Sequence, residues 1–112
     1  MTRPRHITIG DRRIAVHFRR RPLSEDDERG LYWSFDKTIE VAPGLGPVLT
    51  RKTLIHECMH ALLDAAGVAD KLSLDIEELV CESAERLIDL FDQNPELTEY
   101  LAHGPKGRLR GS

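Results

Sequence analysis

Apolar residues recur along this chain of 112 residues with two different periods, and the change of period divides it into a sheet-forming first part and a helical second part. Ile7 and Ile9, then Ile14, Val16 and Phe18, occupy alternate positions, as in strands with one buried face. The pattern predicts a β-hairpin: a strand from His6 to Ile9, a turn at Gly10-Asp11 and a strand from Arg13 to Phe18. Arg20 to Arg29 is polar, contains Pro22 and an acidic run, and reads as a loop. Gly30 releases the chain into a β-prone stretch, Leu31 to Phe35, followed by a turn at Asp36-Lys37 and a further strand, Thr38 to Ala42. The expected result is a small antiparallel sheet of three or four strands. Pro43-Gly44-Leu45-Gly46-Pro47 then interrupts the pattern.

Beyond this break the period becomes helical. Thr50 is the expected N-cap, Arg51 to Ala66 contains neither glycine nor proline, and Gly67 supplies a C-terminal stop. On a helical projection Ile55, Met59, Leu62, Leu63 and Ala66 share an apolar sector, extended by Leu54, Cys58 and Ala65. Only a narrow strip is polar: Thr53, His56, Glu57, His60 and Asp64. A helix so largely apolar is expected to be buried. A second helix is expected from about Leu74 to Gln93, with Ile76, Leu79, Val80, Ser83, Ala84, Leu87, Leu90 and Phe91 on its core face. Asn94-Pro95 ends it, because the residue before a proline is driven out of the helical region. A short helix from Glu96 to Ala102 follows, so the fold class is α+β. One domain is expected over residues 1–103, with 104–112 as a flexible basic tail.

The narrow polar strip contains the chemistry. His56-Glu57-Cys58-Met59-His60 places two imidazoles four residues apart, on one face of the helix, where both can reach a single metal ion. Glu57 lies about 100° round the helix from His56, close enough to touch a metal-bound water without being a ligand, as a general base requires. Burying two histidines and a glutamate without partners is costly, and a zinc ion resolves that cost. The alternative is a pair of hydrogen-bonded histidines on an ordinary core helix.

A catalytic zinc takes three protein ligands and keeps one position open. A further histidine six residues after the second, as in metzincins, is absent because Ala66 stands there. The second helix must then supply the ligand. With Leu79 at 0°, Glu77 falls at about 160°, on the border of the core, while Glu78 and Glu82 fall on the solvent side. Glu77 is therefore the expected third ligand, or else an acid that flanks the core with its head in water. Cys81 either approaches the metal or is a buried, inert thiol. Asp64 either holds a ligand imidazole by its second nitrogen or is an exposed acid at the helix end. Tyr32, His17 and His103 are equal candidates for the donor that an oxyanion needs.

Charge narrows the field of partners. Charged residues make up 31% of the chain and the net charge is -3, so Arg19-Arg20-Arg21 and the Lys106 to Arg110 tail are read as solvated local clusters, and a nucleic-acid partner is disfavoured. Cys58 and Cys81 fall within predicted helices and form no disulfide framework, which fits a reducing, cytoplasmic location. Neither a signal peptide nor a membrane span is legible.

Thr53 to Leu63 around the motif, Glu77-Glu78-Leu79-Val80, and Leu90-Phe91-Asp92-Gln93-Asn94-Pro95-Glu96-Leu97 resemble segments of small zinc metallopeptidases common in bacteriophages and prophages. These are similar in plan to the SprT-like and ImmA/IrrE-type minimal zincins. The resemblance runs in order from Ile7 to Leu97. It implies a gluzincin-like core in which an antiparallel sheet packs on the motif helix and a second helix delivers a glutamate three residues before a small or apolar residue, as Glu77 stands before Val80. It further implies hydrolysis of peptide bonds by a zinc-activated water, with His56, His60 and Glu77 as metal ligands and Glu57 as general base. The substrate is expected to be an extended peptide or protein segment lying along the edge of the Leu31–Phe35 and Thr38–Ala42 hairpin. Two other readings stand beside it: a non-catalytic, zinc-stabilised protein-interaction module, and a DNA-associated accessory protein using the arginine clusters. Oligomeric state and physiological substrate are not legible in the sequence.

Overall fold

The alternating segments form four strands. In the computed structural model, which describes residues 3–21, 29–67 and 76–104, they are β1 (His6–Ile9), β2 (Arg12–Phe18), β3 (Gly30–Trp33) and β4 (Thr38–Val41). Three helices follow: α1 (Gly46–Ala66), α2 (Ile76–Gln93) and α3 (Pro95–His103). The fold is α+β. The strands join in one sheet of order β1-β2-β4-β3. β1 pairs antiparallel with β2, and β3 antiparallel with β4, as two local hairpins.

The expectation of a purely antiparallel sheet needs correction at the seam between these hairpins. β2 and β4 run parallel, with Val16 opposite Ile39 and Phe18 opposite Val41. The alternation of apolar residues reports which side of a strand is buried and is blind to strand direction, so the same pattern serves either pairing. The parallel seam puts β4 inside the sheet and leaves β3 as an end strand. β3 also ends at Trp33, before Phe35, which lies in the Ser34–Lys37 turn and is almost fully exposed.

Ile14, Val16, Ile39 and Val41 project from one sheet face into the core and meet Ala61 of α1, with Leu54, Cys58 and Tyr32 packed around them. α1 crosses β3 and β4 on this face and packs on α2, where Val80 and Ala84 are fully buried. Leu79 and Leu90, expected on the same core face, are more than a third exposed. On the sheet face away from α1, the acid Glu40 is buried between the Arg19 guanidinium and the Trp33 indole N–H, both of which donate to it.

α1 starts earlier than expected. Leu45, not Thr50, is its N-cap, and Pro47 stands in its first turn. A proline there has its φ already set for a helix and lacks an N–H that would go unpaired, so Pro47 opens the helix and Pro43-Gly44 alone forms the break. The C-terminal stop is at Gly67, whose left-handed backbone (φ 71°) lets its N–H return to the Asp64 carbonyl at 3.0 Å. Arg51 reaches Asp92 at 2.9 Å, tying α1 to the last turn of α2. No helix among the described residues is long and apolar enough to cross a membrane.

Candidate metal centre and catalytic glutamate

The most deeply buried line along α1 is Thr53, Glu57 and Ala61, so two members of the polar strip are buried more deeply than the helix's apolar sector. Thr53 and Glu57 are each only 6% exposed, whereas Leu62, from the sector expected to be buried, is 46% exposed. The reason lies in the neighbour. Thr53, Glu57 and Ala61 follow one another at single-turn spacing on the side of α1 turned to the sheet, and β3 begins there with a glycine that allows close approach.

His56 and His60 lie beside this buried strip and are half-buried themselves. Their ring centroids are 5.1 Å apart and the ring planes are inclined at 61°. Two imidazoles one helical turn apart are a donor pair suited to zinc, so this part of the set fits the metal. Glu57, on the turn between them, is more buried than either. Glu77 is the second residue of α2, but its side chain lies outside the described residues, as does that of Cys81. Among the described residues no group of three His, Cys, Asp or Glu side chains is gathered in a way that would hold a metal. Cys58, one residue beyond Glu57, is a free thiol. Burial, followed by the Glu57 charge, pushes it up to about 11, so it is protonated and weakly nucleophilic at neutral pH.

Two turns along α1 from Glu57, Asp64 is held by the sheet. Its Oδ2 accepts from the Tyr32 hydroxyl at 2.7 Å and from Arg12 Nη1 at 3.2 Å, and Lys37 Nζ stands 3.7 Å away. Of the two expectations for Asp64, the exposed acid at the helix end gives way to an anchor joining α1 to β2, β3 and the turn before β4. The Tyr32 hydrogen bond, chief among several causes, lowers the Asp64 carboxyl from its ordinary value. Burial, then the same hydrogen bond, pushes the Tyr32 phenol up to about 12.

This disposes of the three oxyanion candidates in different ways. The Tyr32 proton is committed to Asp64. His17 is exposed and alternates with the buried Val16, which places it on the sheet face away from α1. His103 is exposed in the last turn of α3.

Gly30 is the residue that sequence reasoning missed. In the sequence it only releases the chain into a β-prone stretch, yet a side chain there would run into Thr53 and Glu57. A glycine opening a β-prone run is the available signal, since glycine within a strand often marks a close approach of another element.

β3 also carries an edge. Of the hairpin expected to offer one, β4 is interior and β3 lies at the end of the sheet. The Ala42 N–H donates to the Arg29 carbonyl at 2.8 Å. Antiparallel pairing alternates from that point, so the main-chain N–H and C=O of Gly30 and Tyr32 are directed away from β4, toward the outer edge.

Comparison with models of known protein families, with curated proteins and with solved structures finds nothing that matches the chain.

Proposed function

We propose that this protein is a zinc-dependent metallopeptidase. The observation that carries the reading is the burial of Glu57 on the turn between two half-buried imidazoles, on the face of a helix turned to the end strand of a sheet. A buried carboxylate set between two imidazoles on one helix face is where the general base of a zinc site belongs. Zinc, held by His56, His60 and Glu77, would supply Lewis acidity at the scissile carbonyl.

The chain's own groups account for the remaining chemistry. Glu57 takes a proton from the attacking water and passes it to the leaving amine nitrogen. Its buried surroundings exclude bulk water, which would otherwise compete for both transfers. The outward main-chain groups of Gly30 and Tyr32 pair with an extended peptide, giving affinity with tolerance of side-chain sequence. A peptide bound there would lie along the strand that abuts Glu57.

The deciding experiment combines metal analysis with one substitution. One zinc per chain is expected after metal-supplemented purification, and Glu57→Gln should retain it while losing at least about a hundredfold in peptide hydrolysis. A chain without zinc, or a Glu57→Gln variant with near-full turnover, would overturn the reading. A second reading, a non-catalytic zinc-stabilised interaction module, is favoured by one observation, that His17 faces away from α1, His103 is exposed on α3 and the Tyr32 hydroxyl is engaged by Asp64. Retained zinc with no hydrolysis by the wild-type chain would decide for it.

A further inference from the structure

Gly30 opens β3 opposite Val41, on the side of the sheet that α1 covers. A Cβ at this position would lie 2.7 Å from Thr53 Cγ2, 3.1 Å from Glu57 Cγ and 3.1 Å from Glu57 Oε2. Carbon atoms in contact stand about 3.5–4.0 Å apart, so the first approach requires Thr53 or the strand to shift and the other two require Glu57 to give way. Backbone freedom does not explain the glycine, because the positive-φ glycines are Gly10, Gly44, Gly46, Gly67 and Gly104. Space is what position 30 must provide.

We infer that Gly30 is a positioning residue for Glu57: the missing side chain lets the main chain of β3 lie against the glutamate and thereby fixes where its carboxylate stands. Thr53, one turn earlier on α1 and equally buried, closes the other side of the same contact. The consequence for turnover rests on the reading of Glu57 as general base, whereas the contact itself does not. β3 then has two tasks, since the strand whose outer edge would receive a peptide also sets the base that acts on it. Proton transfer requires heavy atoms within hydrogen-bond reach, so a displacement of a few tenths of an ångström acts on the chemical step before it acts on binding.

Gly30→Ala alone confounds two effects, because the new methyl meets Thr53 as well as Glu57. Thr53→Ser removes the methyl that would lie at 2.7 Å and leaves both Glu57 approaches in place. The test compares wild type, Thr53→Ser, Gly30→Ala and the double variant by melting temperature, zinc content, kcat, KM and crystal structure. Gly30→Ala should lower both Tm and kcat. The double variant should recover most of the Tm, retain its zinc and keep KM within about twofold of Thr53→Ser, while kcat stays about tenfold down or more. Its Glu57 carboxylate should be displaced from the wild-type position.

Recovery of kcat together with Tm would overturn the inference, leaving Gly30 a packing role only. So would a Glu57 carboxylate that does not move. If the wild-type chain hydrolyses no peptide, the proposed function fails, and the position of the carboxylate in the double variant still decides the role of Gly30.

Discussion

Asp64 and Tyr32 show how one hydrogen bond can make stability depend on pH at both ends of the scale. The Tyr32 hydroxyl, assisted by the charges of Lys37 and Arg12, holds the Asp64 carboxyl below its ordinary value although partial burial opposes this. Its folded-state pKa is therefore below the unfolded value of about 3.9. The stabilisation is complete above that value and is lost as pH falls through the folded pKa. Tyr32 behaves in the opposite sense. Its phenol is raised to about 12, so its contribution is complete below the unfolded value and disappears as pH climbs through the folded one. Tyr32→Phe is expected to cost about 1–2 kcal/mol at neutral pH, toward the low end for a hydrogen bond to a charged group because Asp64 remains one-third exposed. Urea denaturation near neutrality, in acid and in alkali checks this. The gap between variant and wild type should narrow in acid and close in alkali, and a constant gap would show that the contact does not titrate.

At the scale of elements, the proposed metal site depends on a helix phase. If Glu77 closes the site, Glu77→Ala should weaken zinc affinity by orders of magnitude, because two histidines alone hold the metal poorly, while Glu78→Ala should change little. Zinc titration of the two variants decides between them, and the reverse result would move the ligand by one residue. The sequence made some of this architecture readable and concealed the rest, each for a physical reason. Gly67 marked the end of α1 because a left-handed residue there suits glycine. The beginning was misplaced because Pro47 resembles a breaker when it is read as part of a Pro/Gly-rich run, although it is favourable in a first helical turn. The first hairpin was legible from alternation, but no local pattern encodes that β2 and β4 run parallel. His56, Glu57 and His60 stood out by spacing alone. The burial of Glu57 beneath Gly30 depends on residues far apart in the chain, and each looks unremarkable by itself.

For the molecule as far as it is described, few large side chains are fully buried. Among the described residues the largest fully buried side chains are Ile14, Ile39, Val41 and Val80. With so few, each matters: Ile39→Ala should cost about 2–5 kcal/mol, read from the urea midpoint. A bound metal would add to this limited reserve. Free zinc at a hundred times its dissociation constant contributes about 2.7 kcal/mol and should raise the Tm by roughly 10 °C, an increment that a chelator removes. An unchanged Tm on chelation would argue against a zinc site that supports the fold. The parallel seam between β2 and β4 also has a kinetic consequence. Each hairpin closes over a short loop and can form early, whereas Val16 meets Ile39 only after the intervening chain has been brought round. The search for that seam should limit the folding rate, so Val16→Ala is expected to slow refolding in proportion to the stability it removes, and Ile7→Ala, in a hairpin already closed by then, should slow it likewise. Stopped-flow traces of the two variants would show whether the half of the sheet that carries the strand beside Glu57 joins the other half at the rate-limiting step, and a Val16→Ala effect confined to unfolding would place that union later.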